Sequence, residues 1–180
     1  MRRLRARSRF EMGTVHGWII RAHPLFLDQL ERLTSAVERE AERKPDQFRS
    51  SANFKLLVAL QKLMTDVIPA DPTSPIFRQG GTLGPEHKHW FRAKFGNGRF
   101  RLFFRYNSSA KVLVFAWVND ADSRRSYGLR SDAYAVFRAM LEDGNPPDSW
   151  QELLEAANSD AVIRRLQAME DRGSRLARGD

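Results

Sequence analysis

No cysteine occurs in the 180 residues, so neither a disulfide nor a thiolate metal site can hold this chain together. That fits a reducing compartment. No apolar run reaches the roughly 18 residues a membrane span requires, and the opening MRRLRARSR is not followed by the apolar segment of a secretory signal. A cytoplasmic protein with no membrane contact is expected. Acidic residues are the third scarcity, and a local one: between residues 88 and 130, ten Lys or Arg stand against Asp120 and Asp122 alone. The net charge of +8 is therefore regional, since residues 13 to 87 are balanced and residues 131 to 180 are net acidic. A concentrated basic field favours a polyanionic partner, nucleic acid foremost. Two aspartates embedded among cations do not suggest a metal site, and neither metal nor cofactor is expected.

The length suits one domain with a proper core. Residues 1 to 12, with five Arg, read as an unstructured basic arm, residues 13 to 158 as the folded domain, and residues 159 to 180 as a polar, frayed tail. VHGWIIRAH (15 to 23) has the β-branched content of a strand and stops at His23-Pro24, where proline suits a first helical turn. Phe26, Leu30, Leu33, Val37 and Ala41 then recur at helical spacing to Arg43. After the break at Lys44-Pro45-Asp46, a second helix is expected over 50 to 68, burying Phe54, Leu57, Leu60, Met64 and Val67. Residues 69 to 88, with four prolines and Gly80, Gly81 and Gly84, form a loop. KVLVFAWVN (111 to 119) is apolar throughout and reads as a central strand covered on both faces. Ser131 can cap a helix that runs to Glu142, burying Ala133, Phe137, Met140 and Leu141 and stopping at Gly144. Ser149 and Glu152 have capping-box spacing for a short last helix. The sum is an α+β domain with an antiparallel sheet.

HWFRAKFGNGRFRLFFRY, residues 89 to 106, reads as two strands about the turn Gly96-Asn97-Gly98. Successive strand side chains point to opposite faces, so Phe91, Ala93, Phe95, Phe100, Leu102, Phe104 and Tyr106 share one face, which helices must cover. Trp90, Arg92, Lys94, Arg99, Arg101, Phe103 and Arg105 share the other, which is expected to stay open beside the loop of residues 124 to 130. There, Arg92, Lys94, Arg99, Arg101, Arg105 and Arg124 can neutralise phosphates, while Trp90 and Phe103 offer surfaces to unstacked bases. That suits single-stranded RNA better than a duplex. A merely solvated face would mix Glu or Thr with the cations. His87, Lys88 and His89 lead into the strand and can contact phosphate or move protons. RNA carries its own nucleophile in the 2′-OH, so a nuclease has only to orient it, stabilise charge on the phosphate and manage two protons. Arginine and lysine can supply the electrostatic part without a metal. For the protons, Lys94, Tyr127, Tyr134, His87 and His89 stay open. A non-catalytic RNA- or ribosome-binding protein using the same face is the alternative.

GWIIRAHPLF, SPIFRQGGTLG, WFRAKFGNGRFRLFFRY, WVNDADSRRSYGLRSDAYAVFRAML and GNPPDSW closely resemble, in order over residues 15 to 151, the YhaV family of bacterial type II toxins, a branch of the RelE-like superfamily. The resemblance implies a RelE-like fold, in which two N-terminal helices and a C-terminal helix pack on an antiparallel sheet. It also implies an mRNA endonuclease, in many relatives working in the ribosomal A site, held inactive by an antitoxin. A PrlF-like antitoxin with an AbrB-like DNA-binding domain is the expected partner. On this resemblance Arg92 and Lys94 fall where relatives place basic residues on the second strand, and Arg101 falls on their central arginine. The C-terminal Arg and Tyr of the family match Arg125 and Tyr134 best, with Arg124 and Tyr127 as the other choices.

Overall fold

The computed structural model of the chain describes residues 14–120 and 132–179. The basic arm, Arg124, Arg125, Tyr127 and Ser131 lie outside the described residues. The chain is an α+β protein with a five-stranded sheet in the order β1-β2-β5-β4-β3. Strands β1 (Thr14–Val15) and β2 (Trp18–Ala22) replace the single strand expected over 15 to 23. His16 and Gly17 between them both have positive φ, as a two-residue primed hairpin turn requires. The expected antiparallel sheet is in fact mixed: β2 runs parallel to β5 (Val112–Val118), whereas β5 pairs antiparallel with β4 (Phe100–Asn107) and β4 with β3 (Phe91–Phe95). The crossover from β2 to β5 carries two helices and the β3–β4 hairpin, which is long enough to bring two strands parallel.

Helix α1 (Pro24–Arg43) starts at His23, whose Nδ1 accepts from the Leu25 N–H at 3.1 Å. Burial pushes this imidazole down to about 4, despite nearby Asp28, so it stays neutral and keeps its lone pair for the cap. Helix α2 (Ala52–Lys62) buries Leu57 and Leu60, then passes into a π-helical turn at Leu63–Val67 and a last turn at Ile68–Ala70. The extra residue of a π turn shifts the phase of the stripe. Val67, expected inside, is 37% exposed, and Ile68 takes its place at 0%.

β5 is buried at every position, and the pattern along it is reset by a bulge against β4, where Phe103 pairs with Trp117 but Phe104 with Phe115. Leu113, Phe115 and Val118 therefore face the core shared with α1 and α2, while Val112, Val114, Ala116 and Trp117 face a second core. That second core is closed by α3 (Ala133–Glu142), capped by Asp132 in place of the expected Ser131, and by α4 (Trp150–Ala157), capped by Ser149 as expected. Phe137 of α3 stacks on Phe103 at 4.2 Å and on Trp117 at 5.7 Å, and meets Trp90 edge-on at 5.0 Å. The strand parity of the hairpin is as read, but its cationic face is not open along its middle. Trp90 and Phe103 are both fully buried, because α3 needs an apolar seat and the sheet supplies it there.

The expected frayed tail is instead α5 (Asp160–Arg178), capped by Ser159. Its Val162, Leu166, Met169 and Gly173 are buried at helical spacing against α1 and α2. Arg165 reaches Glu31 and Asp28, and Arg172 holds both Glu38 oxygens at 2.7 and 2.8 Å. Half-exposed pairs of this kind are worth about 0–1 kcal/mol each, so the apolar stripe does most of the docking. Glu170 lies on the same side, half-buried as a residue but with both carboxyl oxygens shielded and without a hydrogen-bond partner among the described residues. It lines a small gap with Leu30, Gln61, Met64 and Thr65.

Two outcomes follow for stability. Phe103→Ala should cost about 3–5 kcal/mol in chemical denaturation, as aromatic truncations in packed cores do. A variant as stable as wild type with weakened RNA binding would put the ring back on an open surface. Burial, helped by nearby Asp171, pushes the Glu170 carboxyl up to about 8. A folded value above the unfolded one means that stability is fullest below the unfolded value, near 4.3, and is lost as pH rises through about 8. Glu170→Gln should flatten that slope in a pH series of melting curves, and an unchanged slope would assign it to other groups.

Candidate active site

The hairpin turn brings the cations to one end of the sheet. Gly96, Asn97 and Gly98 all have positive φ, and a Cβ on Gly96 would stand 2.7 Å from the Phe100 ring, so glycine is needed there. Lys94 and Arg101 sit directly opposite each other across β3 and β4. Like charges in that register repel, a cost relieved when an anion binds between them. Asn119, at the end of β5, fixes this stretch by accepting from the Arg101 N–H at 2.6 Å and donating to the Arg99 carbonyl at 3.0 Å.

Tyr134, in the first turn of α3, is where the arginines converge. Arg92 Nε donates to its phenol oxygen at 2.9 Å, and the other arm of Arg92 is tied to the Ile76 carbonyl at 2.8 Å. The Arg101 guanidinium lies over the Tyr134 ring, 5.2 Å from its centroid, with one arm held by the Gly98 carbonyl at 3.0 Å. Burial alone would raise the phenol's pKa. Hydrogen bonds and charge from Arg92 and Arg101 outweigh it and hold the pKa below the ordinary value. Arg101 Nε, like Arg105 Nε, is shielded from solvent and has no acceptor among the described residues.

The structure thus brings together Arg92, Arg101 and Tyr134, with Lys94 opposite Arg101 and exposed at the rim, while the exposed Arg99 lays its guanidinium over the Phe100 ring. Arg105 is set apart. Its guanidinium lies between the Trp90 and Trp150 rings, 5.5 and 5.4 Å from their centroids, and donates to the Asp148 carbonyl at 2.6 Å. Burial lowers its pKa, against the pull of Asp148. Trp90 and Phe103, assigned to base stacking, are corrected to core residues, since neither has a ring face exposed. His87 is also buried, while Lys88 is exposed and His89 half-buried. His87 and His89 both contact Asp148, a residue that the sequence reading missed. Its place just ahead of the Ser149 cap gave no chemical signal. Asn119 was missed too, although a polar residue closing an apolar strand is a usable cue. The Arg124, Arg125 and Tyr127 assignments lie outside the described residues.

A groove of about 570 Å³, lined by Leu33, Ala36, Leu56 and Leu60 with Arg32 and Arg39, lies on the other side of the sheet along α1 and α2. It contains none of these converging groups, so the chemistry is sought at Tyr134.

No solved structure matches the chain. Toxin YhaV of Escherichia coli O6:H1 strain CFT073 is 42% identical over 142 residues, covering 78% of this chain and 92% of that protein. The ribonuclease toxin YhaV of Escherichia coli K12 is 42% identical over 140 residues, covering 77% and 91%. The model of a family described as a toxin with endonuclease activity, of a toxin-antitoxin system, matches residues 20–158, a span that includes β3, β4, β5 and the side chains around Tyr134, and the chain belongs to that YhaV toxin family.

Proposed function

We propose that this toxin is an endoribonuclease that cleaves mRNA by attack of the 2′-OH on the adjacent phosphate, and that it does so without a metal. The reading rests above all on the convergence of Arg92 and Arg101 on the Tyr134 phenol. In this scheme the phosphate sits over Lys94 and Arg101, where it relieves their repulsion. As charge accumulates on the phosphate oxygens, Arg101 and Lys94 stabilise it. Tyr134, its pKa held down by two guanidiniums, moves a proton, with Arg92 fixing the direction of its hydroxyl. Lys88, Arg99 and Arg105 guide the backbone of a single strand. The name of the K12 relative supports RNA as the substrate. The two N-terminal helices on one face and the helix of residues 133 to 142 on the other are compatible with a RelE-like arrangement, and the ribosomal A site is the proposed place of action.

Arg101→Ala should leave the fold intact and lower cleavage about 10²–10³-fold. Tyr134→Phe, which keeps the ring that packs on Phe103, should lower it about 10²–10⁴-fold. Both are read as single-turnover cleavage of a defined RNA, in excess chelator. Wild-type rates in either variant remove that residue from the mechanism, and loss of wild-type cleavage in chelator removes the metal-free scheme.

The antitoxin of the system is proposed to be PrlF-like and to neutralise the toxin by covering the basic end of the hairpin. Charge complementarity chiefly speeds association, so the association rate should fall as salt is raised. Reversing Arg92 and Arg99 to Glu should impair both cleavage and antitoxin capture. Full capture with lost cleavage would move the inhibitor elsewhere, the groove along α1 and α2 being the next surface to test.

A further inference from the structure

Around Asp148 the polar groups are arranged in a way that RNA cleavage by the arginines does not use. Its Oδ1 has three nitrogens within 3.0 Å: His87 Nδ1 at 3.0, His89 Nε2 at 2.8 and Trp90 Nε1 at 2.8 Å. One carboxylate oxygen offers about two lone-pair positions, so three N–H donors overfill it. We propose that His87, His89 and Asp148 form a binding site for a divalent transition-metal ion. With an ion between them, the two imidazoles present lone pairs to the metal and only the Trp90 N–H remains a donor to Asp148.

Three further observations fit. The two histidines are only two residues apart in the chain, yet they reach the same point through different ring nitrogens, Nδ1 of one and Nε2 of the other. The three ligand atoms lie within 4.8 Å of one another, a spread that one ion at roughly 2.0–2.2 Å from each can bridge after small side-chain shifts. With Nδ1 of His87 on the metal, its proton must sit on Nε2, which faces Glu86 Oε1 at 3.8 Å. At that distance the carboxylate favours this tautomer by its charge rather than by a hydrogen bond. If instead a neutral His87 donated from Nδ1 to Asp148, a lone pair would face that carboxylate.

Two imidazoles and one carboxylate select zinc, iron(II), cobalt or nickel over magnesium or calcium. His87 is anchored from behind by the hydrogen bond that Gln79 donates to its carbonyl at 3.1 Å. The side chains of His89 and Asp148 are each 37% exposed, which leaves a fourth coordination position to solvent or a ligand. The Trp90, Phe103 and Phe137 rings pack between this cluster and Tyr134, so the ion is not a member of the arginine site. Asp120, one of the acids weighed in the sequence, instead accepts from Gln29 at 3.2 Å, and Asp122 lies outside the described residues.

The full-length protein, stripped with chelator and dialysed, would be titrated calorimetrically with zinc and, separately, with magnesium. One zinc per chain and no magnesium are expected. His89→Ala, a half-exposed change outside both cores, should weaken zinc binding by more than the roughly 10–100-fold typical of losing an outer partner, and Glu86→Gln should weaken it by less than that range. His16→Ala, at a distant exposed histidine, should bind as wild type. Circular dichroism checks that each variant is folded. Absence of zinc binding by the wild type, equal binding of magnesium, or wild-type affinity in His89→Ala would overturn the site and leave a hydrogen-bond cluster around Asp148.

Discussion

The constraint on which this structure depends is that β5 has no exposed face. Seven consecutive apolar residues, Val112 to Val118, must be covered from above and below. One helical layer is supplied before the strand, by α1 and α2, and the other after it, by α3 and α4. Each layer then demands an apolar seat on the neighbouring strand β4, which is why Leu102 and Phe104 go to one core and Phe103 to the other. The bulge at Ala116 lets Trp117 join the second core without turning Val118 away from the first.

This double covering sets the character of the basic face. Were it fully open, its arginines would be hydrated and mobile, and their charge would be screened. Because α3 and α4 rest on the middle of the face, the cations are divided between two margins and several are partly desolvated against aromatic rings. Guanidiniums tolerate this better than ammonium groups, being weakly hydrated and able to lie flat on an aromatic surface. The one lysine on the strand face, Lys94, is accordingly fully at the rim.

Much of this could be read from residues alone, where the pattern was periodic. The first helix, the hairpin and its parity, and the double burial of β5 all followed from spacing. What escaped was of three physical kinds. Parity says which side chains share a face, but not whether another element lands on that face, so Trp90 and Phe103 were given to RNA. A π turn changes the helical phase without any compositional mark, which exchanged Val67 for Ile68. The last helix carries its stripe thinly, as Val162, Leu166, Met169 and Gly173 among many charges. Its stability comes from docking on α1 and α2 rather than from its own sequence. It also lies beyond the span matched by the family, so the resemblance gave no help there. For the candidate site, the parity of the basic face and the family resemblance pointed to Arg101 and Tyr134, whereas Asp148 and Asn119 act through contacts that only the fold creates.

Gln29 reaches from α1 to the end of β5, donating to the Val118 carbonyl at 2.6 Å and accepting from the Val118 N–H at 3.1 Å. Since β2 ends its pairing at Phe115, this part of the central strand would otherwise present an unpaired edge. An exposed edge is a template for another strand and would invite mispairing. A single buried amide, imitating one residue of a missing strand, closes that edge while adding no backbone that would crowd the arginines. The central strand of this toxin thus ends on a side chain, and what lies beside its cations is amide and ring rather than open main chain.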